Sequence, residues 1–168
     1  MDIFGKEEWK PVVRHGTVIP GYYADKTGIV VGKTGKVLSK YSCPGIYGHR
    51  GKMQKLAFST DESTFGDYNY RKPCKGKRSR SVHMTIAVHR IIMETWKPID
   101  EYPPIPKKDW DKTPESAKQF IRDSAIVDHI DSKVDNNHSD NLRWVTPKQN
   151  NYSRKKNELS CGSECSNS

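Results

Sequence analysis

Residues 125–150 read AIVDHIDSKVDNNHSDNLRWVTPKQN, and this stretch divides into four parts. An apolar, β-branched run ends at Asp128 and His129, and a loop rich in asparagine and aspartate follows. Such a loop favours turns, because Asn and Asp side chains bond their own backbone. A second apolar run covers 142–145, and the residues at 146–149 can form a helix start with a capping box. The pattern predicts a strand, a loop, a second strand and a helix.

This order of elements predicts that side chains far apart in the sequence converge. Asp128 ends the first strand, and Asn150 lies one turn into the helix, on a face that can turn back toward the strand end. Carboxylate and amide oxygens are hard ligands, suited to Mg²⁺ or Mn²⁺ rather than Zn²⁺. A regular strand would point His129 away from Asp128, so we expect a local bend there. Neutral His129 could then take a proton from an attacking water.

The same residues carry a resemblance to a known family. The elements D-H-I-D, N-N, N-L-R-W-V-T and a final N resemble, at this spacing, the ββα-metal motif of HNH nucleases. The similarity is greatest to the HNH homing endonucleases encoded in phage introns and intergenic regions. Residues 8–40 loosely resemble the short N-terminal module of those enzymes, and V-H-R at 88–90 is similar to their helix start. The resemblance thus covers 8–40 loosely and 82–152 well.

The resemblance also implies roles for individual residues. It implies that His129 is the general base and that Asn141 serves catalysis by holding the loop and fixing the orientation of His129. Asp128 and Asn150 would bind one divalent ion, Mg²⁺ or Mn²⁺. The last ligand is often a histidine in the family, and the variant with Asn150 favours a hard ion over structural zinc. Three further loop residues match structural positions: Asp131, Asn136 and Asn137.

The composition favours a polyanionic partner. The chain has 168 residues with a formal net charge of +9 and a sequence pI near 9.4. Nucleic acid is the first choice, because Lys and Arg that neutralise phosphates release counterions. An anionic membrane surface is the alternative, but no apolar run approaches the roughly 18 residues of a membrane helix. The first residues lack the form of a signal peptide, so an intracellular protein is expected.

The segment 71–80 is the most basic part of the chain, with six cationic and no acidic residues. A solvated basic loop is one interpretation; a segment that follows DNA phosphates is the interpretation we favour in so basic a chain. Arg143 could also reach a phosphate, although a salt bridge is equally open. The expected DNA-binding residues are Arg71, Lys72, Lys75, Lys77, Arg78, Arg80 and Arg143.

The four cysteines do not form a familiar metal-binding pattern. None of them lies in a C-x2-C pair, and an intracellular chain should keep them reduced. A zinc site made of two cysteines and two histidines can be imagined, but its spacing matches no usual ligand pattern. Free thiols are therefore expected. The imagined zinc ligands are Cys43, His49, Cys74 and His83.

The low hydrophobic content of 33% and mean hydropathy of −0.87 indicate an extended α+β protein of small modules. We expect an N-terminal antiparallel β-sheet region that binds DNA at 1–81 and a ββα-metal nuclease module at 82–152. That module would include a strand and short helix before a proline-rich linker at 97–112, without regular structure. A helix is expected from Thr113, as its N-cap, to about Arg122, with Phe120 and Ile121 buried. The tail at 153–168 is basic and polar and should be disordered.

Together these features predict a site-specific DNA endonuclease of the homing type. One site per chain suggests a monomer that nicks one strand, and a dimer that cuts both strands stays open. We expect double-stranded DNA as partner, no membrane association and no small-molecule organic cofactor. A phage-encoded protein would act in the cytoplasm of a bacterial host. Two alternatives remain, namely a catalytically inactive DNA-binding regulator of the same fold and a structure-specific nuclease.

Overall fold

A computed structural model of the chain describes residues 8–44, 52–65 and 81–152. The basic segment at 71–80 and the tail at 153–168 lie outside these residues, so the expectations for both stay predictions. The described residues form three small antiparallel sheets and several short helices, which confirms the α+β class.

The first sheet contains strands β1 (Lys10–Arg14), β2 (Thr17–Ala24) and β3 (Val30–Val31), in that order. The second contains β4 (Tyr41–Pro44), β5 (Lys52–Asp61) and β6 (Ser81–Ala87), also in chain order. A 3-10 turn at Glu62–Thr64 follows β5. The first of these sheets agrees with the antiparallel β-sheet expected in the N-terminal region.

The third sheet pairs β7 (Ile126–His129) with β8 (Leu142–Val145) and carries the motif that opened the sequence analysis. A 3-10 turn at Ser139–Asn141 leads into β8, and residues 147–152 are helical. The predicted order of strand, loop, strand and helix is therefore confirmed.

Helix α1 (Val88–Trp96) lies at the centre of the fold. Strand β6 alternates buried and exposed residues, and the period changes to that of an amphipathic helix at Val88, as predicted. Six of the nine residues of α1 are buried, and the helix contacts strands of all three sheets. The helix ends at Trp96, directly before Lys97 and Pro98, because the residue before a proline disfavours helical backbone angles.

All three sheets contribute to one hydrophobic core around α1. Val12 and Ile19 come from the first sheet, Phe58 from the second, and Leu142 and Trp144 from the third. Each sheet offers one apolar face to the same helix, so a chain of low hydrophobic content still closes a shared core. The expected series of separate small modules is therefore not what the packing shows. Strand β6 begins at residue 81 and pairs with β5, so the expected boundary between the DNA-binding region and the nuclease module falls within one sheet. That boundary stays a prediction about function.

The proline-rich stretch needs a correction. Helix α2 (Lys107–Lys112) begins directly after Pro106, so the expectation that 97–112 holds no regular structure is wrong over its last six residues. The prolines stop at 106, and the sequence beyond them is free to form a helical turn. Its indole at Trp110 is only 2% exposed, which anchors the turn to the protein.

Helix α3 (Glu115–Ser124) occupies the predicted place, but two details of the prediction are wrong. The hydroxyl of Thr113 does not cap α3; it donates to the carbonyl of Asp109 at 2.7 Å and so closes α2. Phe120 is 73% exposed rather than buried, and α3 buries no residue. Among the described residues, no helix is long and apolar enough to cross a bilayer.

Candidate active site

Strands β7 and β8 set the positions of the first two predicted site residues. The antiparallel register places Asp128 opposite Arg143 and His129 opposite Leu142. The pairing stays regular through His129, so the expected bend within the strand is not present, and the chain turns at Ile130. Neighbouring side chains therefore leave the end of β7 on opposite faces.

On one face, Asp128 is bonded to Arg143. The guanidinium donates to the carboxylate oxygen Oδ2 from Nε at 3.0 Å and from Nη2 at 2.7 Å. This is the salt bridge that the sequence left open for Arg143, and its contact with a phosphate stays a prediction. Both bonds end on Oδ2, which leaves Oδ1 of Asp128 for another ligand.

On the other face, the His129 ring is held from two sides. Its Nε2 lies 3.4 Å from Oδ1 of Asn137. The ring of His89, the second residue of α1, meets it edge to face, with centroids 5.3 Å apart and an interplanar angle of 80°. His129 is half-buried as a result, at the point where the strand gives way to the polar loop.

Within the described residues, the buried Nδ1 of His89 has no hydrogen-bond partner. Desolvation lowers the pKa of His89 to about 4, with smaller contributions from His129 and Arg90. The ring is therefore neutral near pH 7. The neutral His89 ring therefore places no positive charge next to His129, the expected base.

Asn141 makes hydrogen bonds across the loop, and its expected role in catalysis stays a prediction. Its amide nitrogen donates to Oδ1 of Asp131 at 2.9 Å and to the carbonyl of Asn136 at 2.8 Å, and its Oδ1 accepts from the Asp131 backbone at 3.0 Å. Its own carbonyl accepts from the N–H of Ile130 at 2.8 Å. No direct hydrogen bond joins Asn141 to His129 in the described part of the chain, so any effect on the ring passes through the backbone.

Asp131 is the hub on the outer side of this loop. Its carboxylate accepts from the side chain of Asn136 at 2.7 Å and from the backbone of Lys133 at 2.9 Å, in addition to Asn141. The hydrogen bond from Asn136, and then that from Lys133, lowers the pKa of Asp131 to about 2. The predicted structural role of Asp131 and Asn136 in the loop agrees with these bonds.

Asn137 has a second role that sequence reasoning missed. Its side chain is 2% exposed, and its amide nitrogen donates to Oε1 of Gln54 at 3.0 Å and to the carbonyl of Asp135 at 3.1 Å. Gln54 belongs to β5, the central strand of the second sheet. Because Asn137 also contacts His129, β5 is linked to the candidate base through Gln54 and Asn137. No local pattern could reveal Gln54, which lies 83 residues away in the sequence.

The turn at 25–29 closes the same loop from the other side. Gly28 has a positive φ of 97°, and a Cβ there would lie 3.0 Å from Cβ of Asn137 and 3.3 Å from Val88. The carbonyl of Lys26 accepts from the N–H of Ser139 at 2.8 Å. The N-terminal sheet therefore packs directly against the loop that follows His129.

The helix at 147–152 begins with the predicted capping box. Thr146 donates its backbone N–H to Oε1 of Gln149 at 2.7 Å, and the hydroxyl of Thr146 accepts from the Gln149 N–H at 3.3 Å. Half-buried Asn150 lies on the first turn. Val145, the last residue of β8, pairs with Ile126, two residues before Asp128, and the helix starts at residue 147, just beyond this pair.

The described residues contain no cluster of three or more His, Cys, Asp or Glu side chains that could hold a metal. A cation at this site would therefore depend on Asp128 together with an amide oxygen, the hard ligand set that the sequence indicated. Of the imagined zinc ligands, His49 and Cys74 lie outside the described residues, so that alternative is untested.

A groove of about 540 Å³ lies beside the strand pair. The proline-rich segment at 103–106 forms one side of the groove, and the helix at 147–152 forms the other side. Two cations, Arg143 and Lys148, and the exposed Tyr152 line this groove. Arg143 links the groove to the site, because it is bonded to Asp128. Sequence reasoning did not single out Lys148 or Tyr152.

Comparison with known proteins agrees with this geometry. The family model described as HNH endonuclease matches residues 87–152, the part of the chain that holds α1, the strand pair and the helix with Asn150. That segment is thus similar to the HNH endonuclease family, which agrees with the resemblance found in the sequence. None of the curated proteins matches the chain.

Among solved structures, the chain is similar to one described as "DNA binding and cleavage by the HNH homing endonuclease I-HmuI". The two share 25% sequence identity, with a TM-score of 0.46, over 92% of this chain and 59% of that chain. This chain thus spans less than two thirds of that protein's length.

Proposed function

We propose that the protein is a site-specific DNA endonuclease of the homing type, which nicks one strand of double-stranded DNA with a single divalent metal ion. The observation that carries this proposal is the placement of Asp128 and His129 at the end of β7, in a strand pair that leads into a capped helix start, inside the segment that matches the HNH family. A phage-encoded enzyme acting in the bacterial cytoplasm is part of the same proposal.

The metal would be held by Asp128 and Asn150. Both bonds from Arg143 to this carboxylate end on Oδ2, so neither of them occupies Oδ1. Asn150 lies half-buried on the first turn of the helix that follows β8, and its amide offers a second hard oxygen. A bound Mg²⁺ or Mn²⁺ would stabilise the negative charge that develops on the phosphate and on the leaving 3′ oxygen.

The proton transfers would then fall to His129. The neutral imidazole accepts a proton from a water molecule, whose oxygen forms a bond to phosphorus while the bond from phosphorus to the 3′ oxygen breaks. The leaving 3′ oxygen takes a proton from solvent, and the products are a 3′ hydroxyl and a 5′ phosphate. Asn141 keeps the loop after His129 in place through its three side-chain bonds.

DNA binding would use cations around the site as well as upstream of it. Arg143 and Lys148 border the groove beside Asp128, and phosphates are the partners that such cations favour. The segment at 71–80 would supply further phosphate contacts. A β-ribbon from the N-terminal region would read base edges in the major groove, where all four base pairs are distinguishable.

The test is cleavage of supercoiled plasmid and phage DNA with Mg²⁺ or Mn²⁺, with EDTA as control. Relaxed circles that need the metal would support a nicking enzyme, whereas linear DNA would point to a dimer that cuts both strands. Binding of duplex DNA without any cleavage would instead support the inactive regulator. Cleavage confined to junctions or RNA would identify a structure-specific nuclease.

The variant His129→Ala should bind the same DNA and lose cleavage by about a thousand-fold, within the range for a general base. Thermal unfolding of the variant provides the control for folding. A stable variant that still cleaves at the wild-type rate would show that His129 is not the base.

A further inference from the structure

An imidazole has two nitrogens, and in its neutral form only one of them can accept a proton. We propose that Asn137 is a positioning residue that holds neutral His129 as the tautomer with hydrogen on Nε2, so that Nδ1 faces the attacking water as the base. This inference rests on the proposed function for the role of His129, although the tautomer itself can be measured without DNA.

The first step is the orientation of the Asn137 amide. Its nitrogen lies 3.1 Å from the backbone carbonyl of Asp135. A carbonyl oxygen only accepts hydrogen bonds, so the nitrogen end of the amide must be the end that faces it. The second hydrogen on that nitrogen is directed to Oε1 of Gln54 at 3.0 Å. The oxygen end of Asn137 is therefore left for His129.

The second step follows from the chemistry of that oxygen. Oδ1 of Asn137 only accepts, and it lies 3.4 Å from Nε2 of His129. A hydrogen bond between them requires the hydrogen on Nε2, and the lone pair is then on Nδ1. The distance is long for such a bond, so the bias should be about two- to five-fold, the lower part of the usual range.

Three separate segments keep the Asn137 side chain from rotating. Gln54 belongs to β5, Asp135 to the loop, and Gly28 to the turn whose missing Cβ would come within 3.0 Å of Cβ of Asn137. The side chain is only 2% exposed, so water is a poor substitute partner. In the described residues His129 has this one side-chain hydrogen bond, since His89 meets it through the ring edge.

The experiment is long-range ¹H–¹⁵N spectroscopy of the full chain with ¹⁵N-labelled histidine, without DNA or metal, at a pH where imidazole is neutral. The His129 signals are assigned by their loss in His129→Gln. We expect hydrogen on Nε2 in the wild type. Asn137→Leu, which keeps the size of the side chain and removes the acceptor, should raise the share of the Nδ1–H form by about two- to five-fold.

The matched control is Asn136→Leu, since Asn136 bonds Asp131 and does not touch the His129 ring. This variant loosens the loop without removing the acceptor, so it should leave the tautomer ratio at the wild-type value. A dominant Nδ1–H form in the wild type would overturn the proposal. Equal ratios in Asn137→Leu and the wild type would overturn it as well.

If Asn137→Leu does not fold, Gln54→Leu serves in its place. It removes one of the two acceptors that orient the Asn137 amide, so the ratio should move in the same direction by a smaller amount, and no change would contradict the proposal. Cleavage assays run in parallel separate the two ideas. Absence of cleavage with the expected tautomer would count against the proposed function alone, whereas cleavage with the opposite tautomer would count against Asn137 alone.

Discussion

The turn at 25–29 and the loop at 131–141 are both closed by an aspartate, but the two carboxylates lie in different surroundings. Asp25 is 1% exposed and accepts from the backbone of Thr27 and Ile29 and from the Thr27 hydroxyl, at 2.7 to 3.0 Å. Asp131 makes a similar set of bonds on an exposed loop. The buried turn supports the core, and the loop closed by Asp131 follows the candidate base, His129.

The two regions also meet. Gly28 contacts Asn137, and Lys26 accepts from Ser139, so a change in the turn can reach the loop. Helix α1 joins them as well, because Val88 lies against Gly28 and the next residue, His89, lies against His129. We therefore expect stability and catalysis to depend on separate sets of bonds that meet at one contact surface.

The largest effect on stability should come from the buried aspartate. Asp25→Ala leaves two backbone N–H groups without their partner in the interior, and should lower the free energy of unfolding by about 3 kcal/mol. Asp131→Ala, the matched change in the exposed loop, should lower it much less while reducing cleavage. Urea unfolding of both variants measures the difference. An equal loss of stability in the two variants would remove the distinction between the regions.

A pH effect of similar size should come from His89. Its pKa falls from 6.5 to about 4 on folding, mainly through desolvation. Between these values the unfolded chain binds a proton that the folded chain does not, so stability falls as the pH drops from 6.5 toward 4, by up to about 3 kcal/mol. Unfolding measured across this pH range tests the expectation.

The control for His89 is His89→Phe, which keeps an aromatic ring against His129 and should flatten most of this slope. Part of the slope should remain, because partial desolvation also lowers the pKa of His15. A variant with the full wild-type slope would show that another group is responsible.

The contact between the two regions is tested by Gly28→Ala. The backbone there has a φ of 97°, and the added methyl would press on Cβ of Asn137 at 3.0 Å, so the free energy of unfolding should fall by about 2 kcal/mol. Cleavage should fall further than this loss explains, measured at a temperature where the variant is folded. The control is Gly16→Ala, which also has a positive φ but no atom within 4 Å. Equal cleavage by the two variants would argue against transmission to His129.

The smallest effect should come from the groove. Lys148→Ala removes one cation from its border and should weaken DNA binding by only a few-fold, with a reduction of about one in the salt slope. The measurement is the affinity for duplex DNA at several salt concentrations. Lys108→Ala, an exposed lysine of α2 that does not line the groove, is the control. Equal slopes for both variants would exclude the groove as a DNA path.

The sequence predicted the local part of this site well. The Asx-rich loop, the strand pair and the Thr146–Gln149 capping box depend on bonds between near neighbours, whose residue types are visible in the motif. The partners of Asn137, which lies against His129, could not be predicted in this way. Gln54 and Gly28 reach the site only through tertiary packing, and their identity alone gives no sign of it.

The errors have the same origin. Thr113 was a sound cap candidate, but a helix on its other side competes for the hydroxyl. Phe120 follows a helical pattern, yet α3 is held by ion pairs from Arg122 to Asp100 and Glu115 rather than by an apolar face. Periodicity indicates which residues share a face, and only the packing decides whether that face is covered.

The central claim is that Asp128 and Asn150 hold one divalent ion at the strand end that also carries His129. Titration of Mn²⁺ into the full-length protein, followed by electron paramagnetic resonance, measures this directly in the wild type, Asp128→Ala and Asn150→Ala. We predict one bound ion in the wild type and at least a ten-fold loss of affinity in each variant, with Asn151→Ala at the next, exposed position unchanged. Wild-type affinity in both Asp128→Ala and Asn150→Ala would contradict the claim.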